Sequence, residues 1–560
     1  MKLNKKLIIS NTVLFIAILA FINVFNMFFG PANSVVGVTI ITGALTLLQK
    51  DLTASPVENT INLIGVNLFT GIMAYIASMN MWVGIPVNFI ALFAIGYLFS
   101  SNLKVAVVIP FGLQYLFMLF TPVQGNDLML RMCGLIFGGF FMMGLQFLAN
   151  KNKLKKNFKN IIIEIMNDLI FSIENEKIKY DEINDKINKI KKIVYESRKK
   201  SFYICNTGKK VTNIIYLLER MNIIINENDI NSDSDSKEYV LAMLKDLKDG
   251  ITNENVELIK IEKFEGVSNP KNSELRRCII SLVKESKSLN GIKSNVDLQP
   301  FDIPEKFQII KIMKDNFKLS SLRVSYGFRL AIVGAISILI VDMFNIPEGK
   351  WVVYSIFSLT QPYAETSKIR ARQRIEGTLI GASIVVVSFI LIKDSSMRGM
   401  IVLFAGYLNP YVKDYKKLIV LVTISAVAST VVSGGAMGLA ISRVLFVIFG
   451  AMLSIAGSKL IIPFHIKDGN NEIKENYTKI IDTMNSDIEE GINENSIKSL
   501  YLLPAFFEEK FKATNICEVE LSEVKGFADE KRKVLNEVYS KYYFTQNSSD
   551  EIDEADFALS

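Results

Sequence analysis

Two long apolar stretches, residues 7–149 and 329–464, alternate with two polar ones, 151–320 and 465–560. That order reads as membrane, cytosol, membrane, cytosol. A helix needs about 20 mostly apolar residues to cross the hydrocarbon core. The first stretch offers runs near 7–29, 34–49, 60–79, 83–100, 103–120 and 129–149, and the second offers 324–344, 350–362, 375–392, 399–412, 418–433 and 441–463. Six spans per block is the expectation. Leu7–Phe29 is too long for a signal-peptide core and runs into Gly30, Pro31 and Asn33 rather than a small-residue cleavage pattern, so it is read as a retained first span.

The polar stretches carry helical periodicity. Phe158, Ile161, Ile165 and Leu169 step by three or four, as do Ile183, Ile187, Ile190 and Val194. An all-helical bundle follows for the central segment, and a shorter relative for the last one, with Ile480, Met484 and Ile488 on one face. The expected layout is a transmembrane block at 1–150, a cytoplasmic bundle at 151–322, a second block at 323–464, a cytoplasmic helical segment at 465–545 and an acidic disordered tail at 546–560. The predicted fold class is an all-α polytopic membrane protein of two parallel repeats of about six transmembrane helices, each followed by a cytoplasmic helical segment.

Basic residues orient the chain, because cytoplasmic loops are the Lys- and Arg-rich ones. The predicted inner sides hold Lys2, Lys5 and Lys6, Lys50, Lys104, the run from Lys151 to Lys159, Lys311, Lys314, Lys318 and Arg323, Lys368 to Arg374, and Lys413, Lys416 and Lys417. Lys350, Lys393 and Arg398 are exceptions on otherwise charge-poor outer loops such as Ser433–Gly438. The N-terminus, the central bundle and the C-terminus are therefore expected in the cytoplasm, with the chain multi-pass in the cell (plasma or inner) membrane.

A shift of 312 residues lays Asn33 on Asn345, Gly37 on Gly349, Gln49 on Gln361, Gly65 on Gly377, and Arg131, Ile136, Phe137 and Gly138 on Arg443, Ile448, Phe449 and Gly450. An even span count gives the two copies the same orientation, with an axis along the membrane normal and a pathway between them.

Composition removes several functions. The net charge of +7 is spread along the chain and no nucleic-acid motif is present. Cys133, Cys205, Cys278 and Cys517 lie far apart and His465 is the single histidine, so no disulfide framework, metal site or cofactor is expected. Ionisable residues within the spans are too scattered for a catalytic set, so the chain is not read as an enzyme.

The stretch Arg329–Ser383 holds an ordered series: Ile346-Pro347-x-Gly349-Lys350-Trp351, then Gln361-Pro362, then Arg370-x-Arg372-Gln373-Arg374-Ile375-x-Gly377-Thr378-x-x-Gly381. It resembles the fusaric acid resistance protein-like (FUSC) family, which includes the aromatic acid exporters. The second block carries the resemblance closely and the first only weakly, since Thr39 stands where Trp351 would match. The resemblance implies an exporter of aromatic carboxylic acids or similar amphipathic anions, oligomeric and without an ATPase domain. Two other readings stay open, a passive anion channel and a membrane-tethered helical scaffold or sensor. The expected partners are the lipid bilayer, small organic anions and a second copy of the chain.

Arg131 and Arg443 open the sixth span of each block and lead the substrate-binding candidates, with Trp351 and Gln361 beside them. Their guanidinium groups suit bidentate contact with a carboxylate; the bland alternative is an arginine paired with Asp127 or Asp342. Asp342 is a candidate proton carrier if buried. Gln373, Arg374, Gly377, Thr378 and Gly381 form the family motif, with Gly377 and Gly381 set for close helix packing and Thr378 able to bond across it. Trp351 also fits as an interfacial anchor.

Overall fold

The computed structural model describes residues 5–558 apart from 50, 54, 101–106, 151–152, 176–178, 197–203, 205, 228–233, 253–269, 291–320, 393, 413, 433–436, 492 and 515–517. Cys205, Cys517 and the inner-side lysines Lys2, Lys50, Lys104, Lys151, Lys311, Lys314, Lys318 and Lys413 lie outside the described residues, as do Lys393 and most of the Ser433–Gly438 loop. Among the described residues every regular element is helical. The chain divides into two compact units, one of residues 1–49, 59–145 and 309–469, the other of 50–58, 146–308 and 470–560.

The first unit holds α1 (Lys5–Phe29), α2 (Ser34–Leu47), α3 (Pro56–Met79), α4 (Met81–Phe99), α5 (Val108–Phe120), most of α6 (Asn126–Asn150), then α12 (Leu322–Met343), α13 (Lys350–Leu359), α14 (Ala364–Leu391), α15 (Ser395–Leu408), α16 (Tyr415–Val432) and α17 (Met437–Leu460). Their starts are written in short-range chemistry. Asn80, Ser321 and Asp394 each accept a backbone N–H of the following first turn, satisfying donors that have no partner within the helix. α1 stops where Gly30 takes a φ of 81° and Pro31 follows.

Seven of these helices are long and apolar enough to cross a membrane: α1, α3, α4, α6, α12, α14 and α17. The twelve expected spans, several of them drawn from short runs, are therefore not all present as single long helices. α13 is the clearest case, with 10 residues. At a rise of about 1.5 Å per residue it covers roughly half the hydrocarbon thickness. Pro362 stops it, since the ring removes a donor and biases Gln361 away from the helical region. Small residues set the closest approaches. α4 and α12 meet at Gly96 and Gly327, where a Cβ on Gly96 would stand 2.9 Å from the Gly327 Cα, and Gly112 of α5 sits directly against the Phe357 ring of α13 with no room for a Cβ.

The second unit holds α7 (Lys153–Asn175), α8 (Tyr180–Glu196), α9 (Asn206–Glu227), α10 (Ser234–Thr252), α11 (Pro270–Asn290), most of α18 (Ile466–Glu489), α19 (Glu494–Leu502), α20 (Pro504–Thr514) and α21 (Glu518–Ala558). Helices from both polar stretches share one core, in which Ile165, Ile187, Leu217 and Leu244 pack with Met484, Tyr501, Leu535 and Tyr539. Burial of such apolar surface is the main favourable term in its folding. At its centre Lys191 bonds both oxygens of Glu219 at 2.8 Å, Tyr501 donates to Glu219, and Arg532 pairs with Glu508. Burial pushes the Glu219 carboxyl upward, but Lys191 and Arg532 outweigh it and hold it below the ordinary range. α21 runs on to Ala558, through the acidic stretch expected to form a disordered tail.

Candidate functional site

A charged and aromatic cluster forms where the α12–α13 turn meets α17. Arg443 donates from Nε to Glu348 Oε2 at 3.1 Å and from Nη1 to the Ala426 carbonyl at 2.6 Å. Its guanidinium lies over the Trp351 ring, 4.4 Å from the centroid, a cation–π contact. Trp351 Nε1 donates to the same Glu348 oxygen at 2.7 Å, and Lys350 Nζ stands 3.2 Å from Oε1. Burial acts to raise the Glu348 pKa, but Trp351, Arg443 and Lys350 prevail and keep the carboxyl below the ordinary glutamate range. Behind Trp351 the Tyr354 ring is edge-on at 5.5 Å, and Tyr354 in turn meets Phe117 at 5.1 Å and Phe120 at 5.8 Å. The cluster thus offers a cation on an aromatic face, an indole donor and a deep apolar wall.

Arg131, the other arginine of the pair, is spent differently. It is buried and donates from Nε to Asn33 Oδ1 at 2.7 Å, from Nη1 to the Thr121 carbonyl at 2.8 Å and from Nη2 to the Ala32 carbonyl at 3.3 Å. These are neutral oxygens rather than the carboxylates of Asp127 or Asp342. Arg443 pairs with Glu348, also not with Asp342. The two arginines share no bonding partner.

The remaining candidates scatter. Gln361 lies past the other end of α13 from Trp351, its side chain donating to the Ser358 and Thr360 carbonyls. Asp342 is exposed at the end of α12, so the burial required for a proton carrier is not met within the protein. Gly377 and Gly381 of α14 pack against α16, where a Cβ would come 2.8 Å from the Lys416 carbonyl and 2.7 Å from that of Val420. Thr378 was expected to bond across a helix interface, but its buried hydroxyl has no partner, and neither does the buried Arg374 Nε. Gln373 is half-buried on the same helix. Arg372 does bond Glu376 at 2.9 Å, and Lys416 joins that carboxylate at 2.6 Å.

Three features escaped the sequence reading. Arg329, fully buried in α12, donates to the carbonyls of Gln361 (3.0 Å), Pro362 (3.4 Å) and Ile462 (3.2 Å) and to the Ser325 hydroxyl. It satisfies the backbone where two helices stop, at the α13–α14 turn and past α17, which membrane-depth irregularity requires. The first block encloses a polar knot: Gln114 Nε2 reaches Asn67 Oδ1 at 3.2 Å and Thr70 Oγ1 at 3.1 Å, and Asn67 Nδ2 reaches the Leu135 carbonyl at 3.1 Å. The third feature is Glu348. An arginine or amide inside an apolar run is the signal that marks the first two.

The seven long apolar helices point to an integral membrane protein. Residues 336–457 match the family model described as fusaric acid resistance protein-like, a similarity that points to a membrane transporter or efflux role. No curated protein and no solved structure matches the chain.

Proposed function

We propose that this chain is a secondary active exporter of aromatic carboxylic acids or related amphipathic organic anions. The observation that carries the reading is the Arg443–Trp351 cluster: a guanidinium for a carboxylate, backed by Trp351, Tyr354, Phe117 and Phe120 for an apolar body. A ligand site with few placed polar groups on an apolar lining is what such anions need.

In this reading the two blocks are parallel repeats with the pathway between them. Support comes from helix ends: subtracting 312 carries the last residues of α13, α14 and α16, Leu359, Leu391 and Val432, onto 47, 79 and 120, where α2, α3 and α5 end. The same shift relates two close contacts, Gly138 against Ile40 and Gly450 against Val352. Further support for an even span count comes from connectivity. Residues 146–308 and 470–560 belong to one unit, and only three of the seven long helices fall between them, so at least one shorter helix there must complete a crossing. By the positive-inside bias the termini and this unit are cytoplasmic, in the plasma or inner membrane.

The test is flux of benzoate and aliphatic carboxylates in liposomes holding the purified protein, with an imposed pH gradient compared with an imposed voltage. Accumulation against the benzoate gradient under a proton gradient is the expected result. Flux that only follows voltage replaces the carrier with a channel, and no flux removes both.

A further inference from the structure

The turn that leads into α13 contains two non-glycine residues with positive φ, Asn345 at 45° and Glu348 at 59°. Side chains disfavour that backbone region, so something must hold Glu348 there. Backbone bonds of the turn, from Gly349 N to the Ile346 carbonyl and from Trp351 N to the Glu348 carbonyl, hold the chain there together with a grip on the carboxylate: Arg443 and Trp351 on one oxygen, Lys350 on the other. These are the donors that a free carboxylate would use, and the aromatic wall stands next to them. The site is not sealed, since the Arg443 and Glu348 side chains keep 15% and 19% of their exposure.

We propose that Glu348 is a resident ligand of the Arg443–Trp351 site. Its tethered carboxylate occupies the place that the carboxylate of an incoming amphipathic acid takes, and the acid binds when the 344–349 turn carries Glu348 aside. The substrate class rests on the transport reading above; the inference adds the residue that sets affinity and selectivity. A site blocked for nine-tenths of the time has an apparent dissociation constant raised about tenfold. The occupant also filters. A small inorganic anion must displace it with charge alone, whereas an acid with an apolar body gains the Trp351 and Tyr354 faces as well.

The chain has two tryptophans, Trp82 and Trp351, and Trp82 is exposed, so full-length W82F leaves Trp351 as the reporter. Titrating W82F in lipid nanodiscs with cyclohexanecarboxylate, followed by Trp351 fluorescence, gives a dissociation constant. With Glu348→Gln added, binding should tighten about tenfold, and with Arg443→Gln added as well the saturable response should vanish. Equal or weaker binding in the Glu348→Gln protein overturns the inference, as does the absence of a saturable response in both. Glu348→Asp, which keeps the charge but shortens the reach, decides if the glutamine variant does not fold: tighter binding than W82F supports the inference and no change overturns it. Liposomes without carboxylate flux, alongside an intact tenfold difference in the titration, would remove the transport reading and leave the resident ligand standing.

Discussion

Arg131 and Arg443 occupy corresponding positions in two segments related by a shift of 312 residues, and both sit near the start of an apolar helix. Their surroundings divide them. Arg131 is buried and its three kinds of nitrogen all reach neutral oxygens, Asn33 Oδ1 and two carbonyls, so the charge serves to tie chain turns together. Arg443 faces a carboxylate and an indole ring and keeps some solvent access. A guanidinium bonded to carbonyls has nothing to exchange, whereas one bonded to a mobile carboxylate can trade it for another anion. Arginines that a 312-residue shift superimposes need not do the same job.

The comparison breaks most readily through Arg329, which does in the second block what Arg131 does in the first, on a larger scale. Arg329→Gln strands the Gln361 and Pro362 carbonyls, while Ile462 keeps its bond from the Ser325 hydroxyl; at about 1–3 kcal/mol per buried unpaired group, it should cost roughly 2–6 kcal/mol and greatly reduce the yield of monodisperse protein. Arg131→Gln should cost about 3 kcal/mol by the same reasoning, read as a lowered melting midpoint in detergent with the flux per folded molecule unchanged. Arg443→Gln should do the reverse. Its melting midpoint should hold within a few degrees while benzoate flux falls about ten- to a hundredfold, the worth of one charged hydrogen-bonded contact. If Arg131→Gln loses flux and keeps its stability, the two arginines act as a pair and the division fails.

Much of this was visible along the chain and some was not. The apolar runs located the helices, and the isoleucines at 161, 165, 183, 187 and 190 fall in the core of the second unit as their spacing requires. Run length misled at α13, because Thr360, Gln361 and Pro362 extend the run after the helix has ended at Leu359. Arg443 and Trp351 stand 92 positions apart and were both named, yet their contact depends on how α13 and α17 pack, which periodicity does not reveal. Glu348 gave no signal at all. It lies in a short polar turn, where a glutamate is ordinarily solvated, and only a positive φ turns it back onto the arginine. The Asn67–Gln114 contact, across 47 residues, is hidden for the same reason.

The smallest expected effect concerns pH. The Glu348 carboxyl titrates below its ordinary value because Trp351, Arg443 and Lys350 overcome its burial. A depressed carboxyl keeps its contribution above the unperturbed value near 4.3 and loses it only as pH falls through the lower folded value. Between about pH 6 and pH 8, therefore, the charged groups facing it, Arg443 and Lys350, see a constant charge, and neutral Tyr354 adds none. The ratio of dissociation constants between W82F and its Glu348→Gln derivative should then be the same at pH 6 and pH 8. Asp342, exposed at the end of α12 that leads into the 344–349 turn, is the carboxyl to set against Glu348. If Asp342→Asn abolishes proton-driven accumulation while that ratio stays flat, coupling and substrate release reside in different carboxylates. A ratio that collapses at pH 6 would instead make Glu348 the proton carrier and merge the two roles at Arg443, on the side of the comparison that Arg131 lacks.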